Sequence, residues 1–413
     1  MNQAHWAVMP LEAVCVPSGL VRGPFGGSLK KIDFVASGYR VYEQRHAING
    51  TLDGARYFVD AKKFQEMKRF SVRPGDFIVS CSGTIGRIYQ LPKSSPEGII
   101  NQALLKVTVD TRIIELQFFT SYFEWDRFQE KILESTQGGA MQNLVGMATF
   151  RKVPFIVPPI QEQRRIAEAL RDSSELIGVL ERLIAKKQAI KLGMMQQLLT
   201  GKTRRPGFAA PWAPTVIGSL GTLLKGRGVR RADVRTSGVP CIRYGELYTT
   251  FHNYTDGTVS FVSEDVAATA LPIEEGDLLF AGSGETKAEI GTCVAYVGQS
   301  AAVAGGDIVV LRAPKVNAVF LASLLNTPEV AAMKASSGQG DAVVHINARA
   351  IGALRVELPE RPEQDAIARV IIDADQELAA LNARLDAVRN IKKGMMQELL
   401  TGRTRLKTVE AAA

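Results

Sequence analysis

"GMMQQLLTG" spans residues 193–201 and "GMMQELLTG" spans residues 394–402. The strings lie 201 residues apart and differ only at Gln197 and Glu398. A nine-residue phrase written twice points to an internal repeat, and the same offset extends it. Pro158–Arg204 aligns with Pro359–Arg405 without a gap, "PPIQEQRRIA" facing "PERPEQDAIA" and "KLGMMQQLLTGKTR" facing "KKGMMQELLTGRTR". Upstream, "PGDFIVSCSG" (74–83) faces "EGDLLFAGSG" (275–284), and "WAPTVIGSLGTLLKG" at Trp212 echoes "WAVMPLEAVCVPSG" at Trp6. The order is therefore domain, helix, domain, helix: residues 1–157, 158–204, 205–356 and 357–405, with a tail at 406–413.

The two similar segments read as long helices. Each starts after proline, with acidic or amide residues in the first turn, where the helix dipole favours them. Each stops at Thr-Gly followed by Lys or Arg. In the second copy a 4-3 spacing runs through Ile367, Ile371, Ala374, Leu378, Leu381, Leu385, Val388, Lys392, Met395 and Leu399, nine of the ten apolar. The first copy gives Ile166, Leu170, Ser173, Ile177, Leu180, Ile184, Lys187, Lys191, Met194 and Leu198, seven of ten apolar. A shared seam of this length predicts that the helices pair with each other as an antiparallel coiled coil. That arrangement implies a pseudo-two-fold frame. The "MMQxLL" ends carry more apolar surface than one seam needs, so Met194, Met195, Leu198, Leu199, Met395, Met396, Leu399 and Leu400 are expected to dock a partner.

Each domain mixes strand-like runs ("DFIVSCSG", "ALLKVTVD", "DLLFAGSG", "DIVVLRAP") with one late helix, "IIELQFFTSYFEWDRFQEKIL" or "NAVFLASLLNTPEVAAMKASS". The fold class expected is mixed α/β (α+β), two diverged domains separated by the helix pair. The chain has 413 residues, 46% of them apolar, enough for domains with proper cores. No apolar run has the length of a membrane span, and "MNQAHWAVMP" lacks signal-peptide regions. Cys15, Cys81, Cys241 and Cys293 lie far apart, which suits reduced thiols in a cytoplasmic protein rather than disulfides. His5, His46, His252 and His345 have no metal-ligand spacing.

The net charge is +8, and its distribution matters more than its size. It is +5 over residues 1–157, +4 over 158–204, 0 over 205–356 and −1 over 357–413. A basic first half suits a polyanion. Early in each domain lies a turn-rich basic stretch, "RGPFGGSLKK" and "LKGRGVRRADVR". Glycine lets backbone approach a ligand, and the flanking cations suit phosphates or guanine edges. Before each long helix lies an amide-bearing stretch, "STQGGAMQNL" and "SSGQGDAVVHIN", whose amides could read adenine. The candidate DNA-contacting set in the first domain is Arg22, Lys30, Lys31, Arg40, Arg45, Ser82, Thr84, Arg87, Gln137, Gln142 and Asn143. In the second it is Lys225, Arg227, Arg230, Arg231, Arg243, Ser283, Lys287, Gln339, His345 and Asn347.

Three catalytic look-alikes weigh little. "LLFAGSGE" (278–285) resembles an S-adenosylmethionine glycine loop, but its repeat partner is "IVSCSGTI" and no Asn/Asp-Pro-Pro-aromatic motif accompanies it. "GKT" (201–203) has Gln196 where a phosphate loop needs glycine. "EMK" (66–68) is half of a nuclease set without a second acid. No catalytic residue is expected.

Two variable domains, each followed by a similar long helix, resemble the specificity (S) subunit of type I restriction–modification enzymes. The tryptophan-led domain starts, "PGDFIVSCSGTIGR" and "EGDLLFAGSG", the turns "VPPIQEQRRIA" and "LPERPEQDAIA", and the "GMMQxLLTGxTR" helix ends carry the resemblance, which covers nearly the whole chain. It implies a non-catalytic subunit whose two target recognition domains each read one half of a bipartite, asymmetric sequence in double-stranded DNA. The helices would fix the unread spacer and dock two copies of the methylating (M) subunit. The resemblance places S-adenosylmethionine on that partner, and ATP and Mg on a restriction (R) subunit where one exists; no cofactor or metal is expected on this chain. The second domain departs from the pattern through the insertion "ETKAE" after "GSG" and its lack of net positive charge. Competing readings are a stand-alone S-adenosylmethionine-dependent DNA methyltransferase built on "FAGSG", or a coiled-coil adaptor whose domains bind proteins.

Overall fold

The computed structural model describes residues 6–135, 142–338 and 344–406. The chain divides into two compact units, residues 1–181 with 383–413, and residues 182–382. The division falls inside both long helices, Ile160–Leu199 and Arg361–Leu399, of 40 and 39 residues. Each unit thus holds one domain, the beginning of one long helix and the end of the other.

In the first unit, strands Cys15–Arg22, Leu104–Val109, Phe77–Ser80 and Ile88–Gln90 form an antiparallel sheet in that order. A second sheet runs Phe58–Val59, Tyr39–Tyr42, Gly98–Ile100, Ser71–Val72, with its two middle strands parallel. The central strand "FIVS" is buried throughout because each face meets its own core. Phe77 and Val79 join the large cluster with Phe118, Phe119, Tyr122 and Phe155, whereas Ile78 joins Tyr42, Ile100 and Leu104. Alternation along a strand explains the split. The second unit repeats it: Leu278 and Phe280 face one core, Leu279 and Ala281 the other.

Each expected late helix is in fact two. Leu116–Glu124 and Asp126–Ile132 are separated by Trp125, whose extended backbone (φ −68°, ψ 128°) lets its indole enter the core. Ala318–Leu325 and Pro328–Ser336 are separated because Pro328, lacking an N–H, starts a new helix.

A short ladder closes each domain onto its helix: Ala7–Pro10 with Pro154–Val157, and Ala213–Val216 with Arg355–Leu358. This carries Trp6 and Trp212 to the helix junctions. There the repeated motifs meet. In the second unit Glu363, at the start of one helix, accepts two 2.7 Å hydrogen bonds from Arg204, just past the end of the other. Arg204 also lies over the Trp212 ring, 5.8 Å from its centroid. In the first unit Glu162 accepts from Trp6 Nε1 (3.0 Å) and faces Arg405 (3.9 Å), which lies 5.0 Å over the Trp6 ring. The neighbouring glutamine is a second lock. Gln163 accepts from Glu115 N and donates to Ile113 O and Pro158 O; Gln364 accepts from Asn317 N and donates to Pro359 O. "EQ", "TGxTR" and the leading tryptophan are parts of one clamp, built twice.

Gly201 (φ +65°) and Gly402 (φ +73°) end the helices in the left-handed conformation, packed on the Trp212 and Trp6 rings. Within each unit the two helix segments run antiparallel. The first unit pairs Ser173 with Met395 and Glu181 with Arg389 (2.7 Å). The second pairs Lys187 with Glu377 (2.7 Å) and Lys191 with Asp375. The two lysines that interrupt the first seam therefore face carboxylates.

The expectation for the "MMQxLL" ends needs correction. Leu198 and Leu199 are buried in the core of the second unit, and Met396, Leu399 and Leu400 in that of the first. Met195 and Met395 are half-buried against the same cores, and of the eight only Met194 is exposed, at 37%. Apart from Met194, these side chains pack against the cores of the two units instead of lying fully exposed.

Candidate nucleic-acid interface

The basic stretches fold alike in the two units. In the first, Lys31–Asp33 forms a tight turn in which Lys30 N donates to Asp33 Oδ2 (2.6 Å) and Asp33 N donates to Lys30 O (3.0 Å). In the second, Arg231–Asp233 does the same, with Arg230 N to Asp233 Oδ2 at 2.7 Å and Asp233 N to Arg230 O at 3.1 Å. The hydrogen bond from Lys30 N and the charge of Lys63, 3.5 Å away, hold the Asp33 carboxyl below the usual carboxylate range. With the aspartate committed to its own turn, Lys30, Lys31, Arg230 and Arg231 remain exposed.

Elsewhere in the first unit, Ser82, Thr84 and Arg87 are exposed on the loop that follows the central strand. Gly83 and Gly86 give that loop its positive-φ corners, and Gln129 packs against Gly86, donating to its carbonyl. Arg22 is half-buried and donates to Cys81 O. Arg45 is paired with Glu43 at 3.2 Å. Arg40 does not belong to the surface: it is 6% exposed, donating to Leu52 O and lying 3.2 Å from His46 Nε2. Its strand is covered on both faces, Val41 packing into one core and Tyr42 into another, so that burial comes with the position and its basic type conceals it. Gln142 and Asn143 lie on the strand Gln142–Leu144, paired with Leu133–Ser135; their side chains, like all of Gln137 and Gln339, lie outside the described residues.

In the second unit the structure brings Arg230, Arg231 and Arg243 together around a cleft of about 520 Å³ that also includes Tyr244 and Thr249. Arg243 is tied to Glu246 at 2.9 Å, and Ser260 also donates to that carboxylate. Lys225, Arg227 and Lys287 are exposed. Ser283 is a second correction, being 2% exposed, on a strand paired with Val344–His345, with its Oγ 2.8 Å from Nδ1 of the exposed His345. Asn347 is exposed, but its side-chain oxygen accepts from Ala350 N as the cap of Ala348–Gly352.

The look-alikes take structural roles. "AGSG" is sheet: Gly282 N donates to Asp307 O, Ile346 N donates to Gly282 O, and a side chain at Gly284 would strike Glu289. "GKT" is the helix stop at Gly201, and Glu66 of "EMK" faces Lys63 at 3.6 Å. All four cysteines are free and buried, and burial pushes Cys15, Cys81 and Cys293 up to about 12, so they are unreactive. Among the described residues no helix is long and apolar enough to cross a membrane.

Sequence reasoning passed over Phe25 (71% exposed) and Ile32 (88% exposed), apolar residues within the first basic stretch. Their hydropathy directs a reader to the core, and only the turn geometry reveals them.

Residues 31–188 match the family described as type I restriction modification DNA specificity domain. The type I restriction enzyme MjaVIII specificity subunit of Methanocaldococcus jannaschii is 23% identical over 367 residues, covering 84% of each chain. The fold is shared with the type I restriction–modification S subunit from M. genitalium (TM-score 0.58, 14% identity, 97% of each chain). It is also shared with the HsdS subunit of Thermoanaerobacter tengcongensis (TM-score 0.51, 17% identity, 97% of this chain and 98% of that one).

Proposed function

We infer that the chain, whose residues 31–188 belong to the type I restriction modification DNA specificity domain family, is the non-catalytic, DNA-sequence-recognising subunit of such a system. The observation that carries this reading is the doubled build: one clamp and one pinned cationic turn per unit, on otherwise diverged domains. Equivalent frames with different faces suit two half-sites of different sequence. The long helices set the spacer between them, and a two-fold frame on a duplex favours half-sites about one helical turn apart.

The chain assembles with two methylating subunits, which carry S-adenosylmethionine, and with a restriction subunit using ATP and Mg where the system has one. Its place of work is the cytoplasm. With the "MMQxLL" leucines turned inward, the docking face is the apolar surface left on the helices. In the second unit this is Ile190 (44% exposed), Leu192 and Met194, beside a groove of about 470 Å³. In the first it is Ile391 (59% exposed), the repeat counterpart of Ile190, with Val179 (50% exposed) and Leu176 (38% exposed) on the other helix.

The test is reconstitution. The purified chain with S-adenosylmethionine should methylate nothing, and adding the methylating subunit should yield methylation at one bipartite motif. Methylation by the chain alone would overturn the reading.

A further inference from the structure

We propose that the Lys30–Asp33 turn reads bases through Ile32, whereas its counterpart Arg230–Asp233 holds phosphates alone. The proposal rests on the DNA-reading function above and assigns the contact that separates the two half-sites.

The two turns share one frame, fixed by the same aspartate-to-backbone hydrogen bond at 2.6 and 2.7 Å. On that frame the outward pair is Lys31 and Ile32 in the first unit, Arg231 and Ala232 in the second. Ile32 is 88% exposed, and Phe25, in the same stretch, is 71% exposed. A lone exposed apolar residue is ordinary. Here, however, Ile32 follows two exposed lysines, and Asp33 beside it is already committed to Lys30 N and Lys63. A cation that grips a phosphate beside a projecting apolar side chain is the pairing that duplex DNA accepts, because phosphate contacts position and apolar contacts to base edges specify. Charge complementarity therefore selects DNA as the occupant of this tip. Ala232 ends at its Cβ and reaches less far, so Arg230 and Arg231 are left to hold the backbone.

The experiment uses the full chain with its methylating subunit. Methylated sites are mapped genome-wide, and binding is measured on duplexes carrying the motif or single-base variants at two salt concentrations. Ile32→Ala should relax discrimination about fivefold at one position of one half-site while leaving the salt dependence unchanged. Lys31→Ala and Arg231→Ala should each lower the salt slope by about one and leave the motif as it was. All three sites are exposed, and circular dichroism checks that the variants fold. If Ile32→Ala methylates the same motif with the same stringency, or if Ile32→Ala lowers the salt slope as Lys31→Ala does, the proposal is wrong. A wild-type complex that methylates no bipartite motif would instead overturn the function on which it rests.

Discussion

Glu363 is 2% exposed and accepts two hydrogen bonds from the Arg204 guanidinium at 2.7 Å, and Arg204 donates a third to Ala210 O. Removing the arginine leaves a buried carboxylate without that partner, so Arg204→Ala should destabilise the second unit by about 3 kcal/mol. Glu162 faces Arg405 at the longer distance of 3.9 Å and already has Trp6 as a donor. Arg405→Ala should therefore cost clearly less than Arg204→Ala in urea unfolding of the full chain. Equal losses would refute the clamp as described. His46 offers a pH test. Burial, with Arg40 and Arg45 nearby, pushes its imidazole down to about 4. Between pH 6.5 and 4 the unfolded chain then binds more protons than the folded one, so stability is full above 6.5 and falls toward 4. The loss should reach about 2–3 kcal/mol at pH 4, and His46→Gln should remove that slope. Little of this was readable beforehand. The motif "EQ" and the terminal arginine were visible as repeats, but the side chains meet across more than 150 residues, a distance that spacing rules do not bridge.

The helices are the elements that the sequence revealed most fully, because a 4-3 apolar seam is a local pattern. In Arg361–Leu399 every predicted seam position is buried or half-buried. What the pattern could not tell is which surface covers the rest of each helix. Leu400 is fully buried in the core of the first unit, and Leu400→Ala should cost about 2–5 kcal/mol. Ile391→Ala, at a 59% exposed site, should leave stability within about 0.5 kcal/mol and weaken binding of the methylating subunit instead. Unchanged binding would remove Ile391 from the docking face. The seam lysines make a third test. Lys191→Glu sets a carboxylate against Asp375 and should cost about 1 kcal/mol, with Asp375→Lys in the same chain restoring most of it. The Gln197/Glu398 difference has a simple reason at this scale: either side chain accepts from the threonine that follows the helix stop, Thr203 at 3.5 Å or Thr404 at 3.1 Å.

For the whole molecule, the similar parts build the frame and the diverged parts carry the meaning. The repeated order of domain and helix was legible because repeats survive as strings. The exposed basic surface was only half legible. Basic type selected Lys30, Lys31, Arg230 and Arg231 correctly as exposed, but it also selected the buried Arg40 and passed over Ile32. If the helices measure the spacer, adding one heptad at matched positions in both should preserve folding and change the spacer length, and an unchanged spacer would refute that role. The central claim is that this chain chooses the sequence and a partner does the chemistry. Mapping methylated bases genome-wide after residues 1–157 are exchanged for the corresponding domain of a relative tests it most directly. One half of the methylated motif should change while the other half stays as it was; a motif unchanged in both halves would contradict the account.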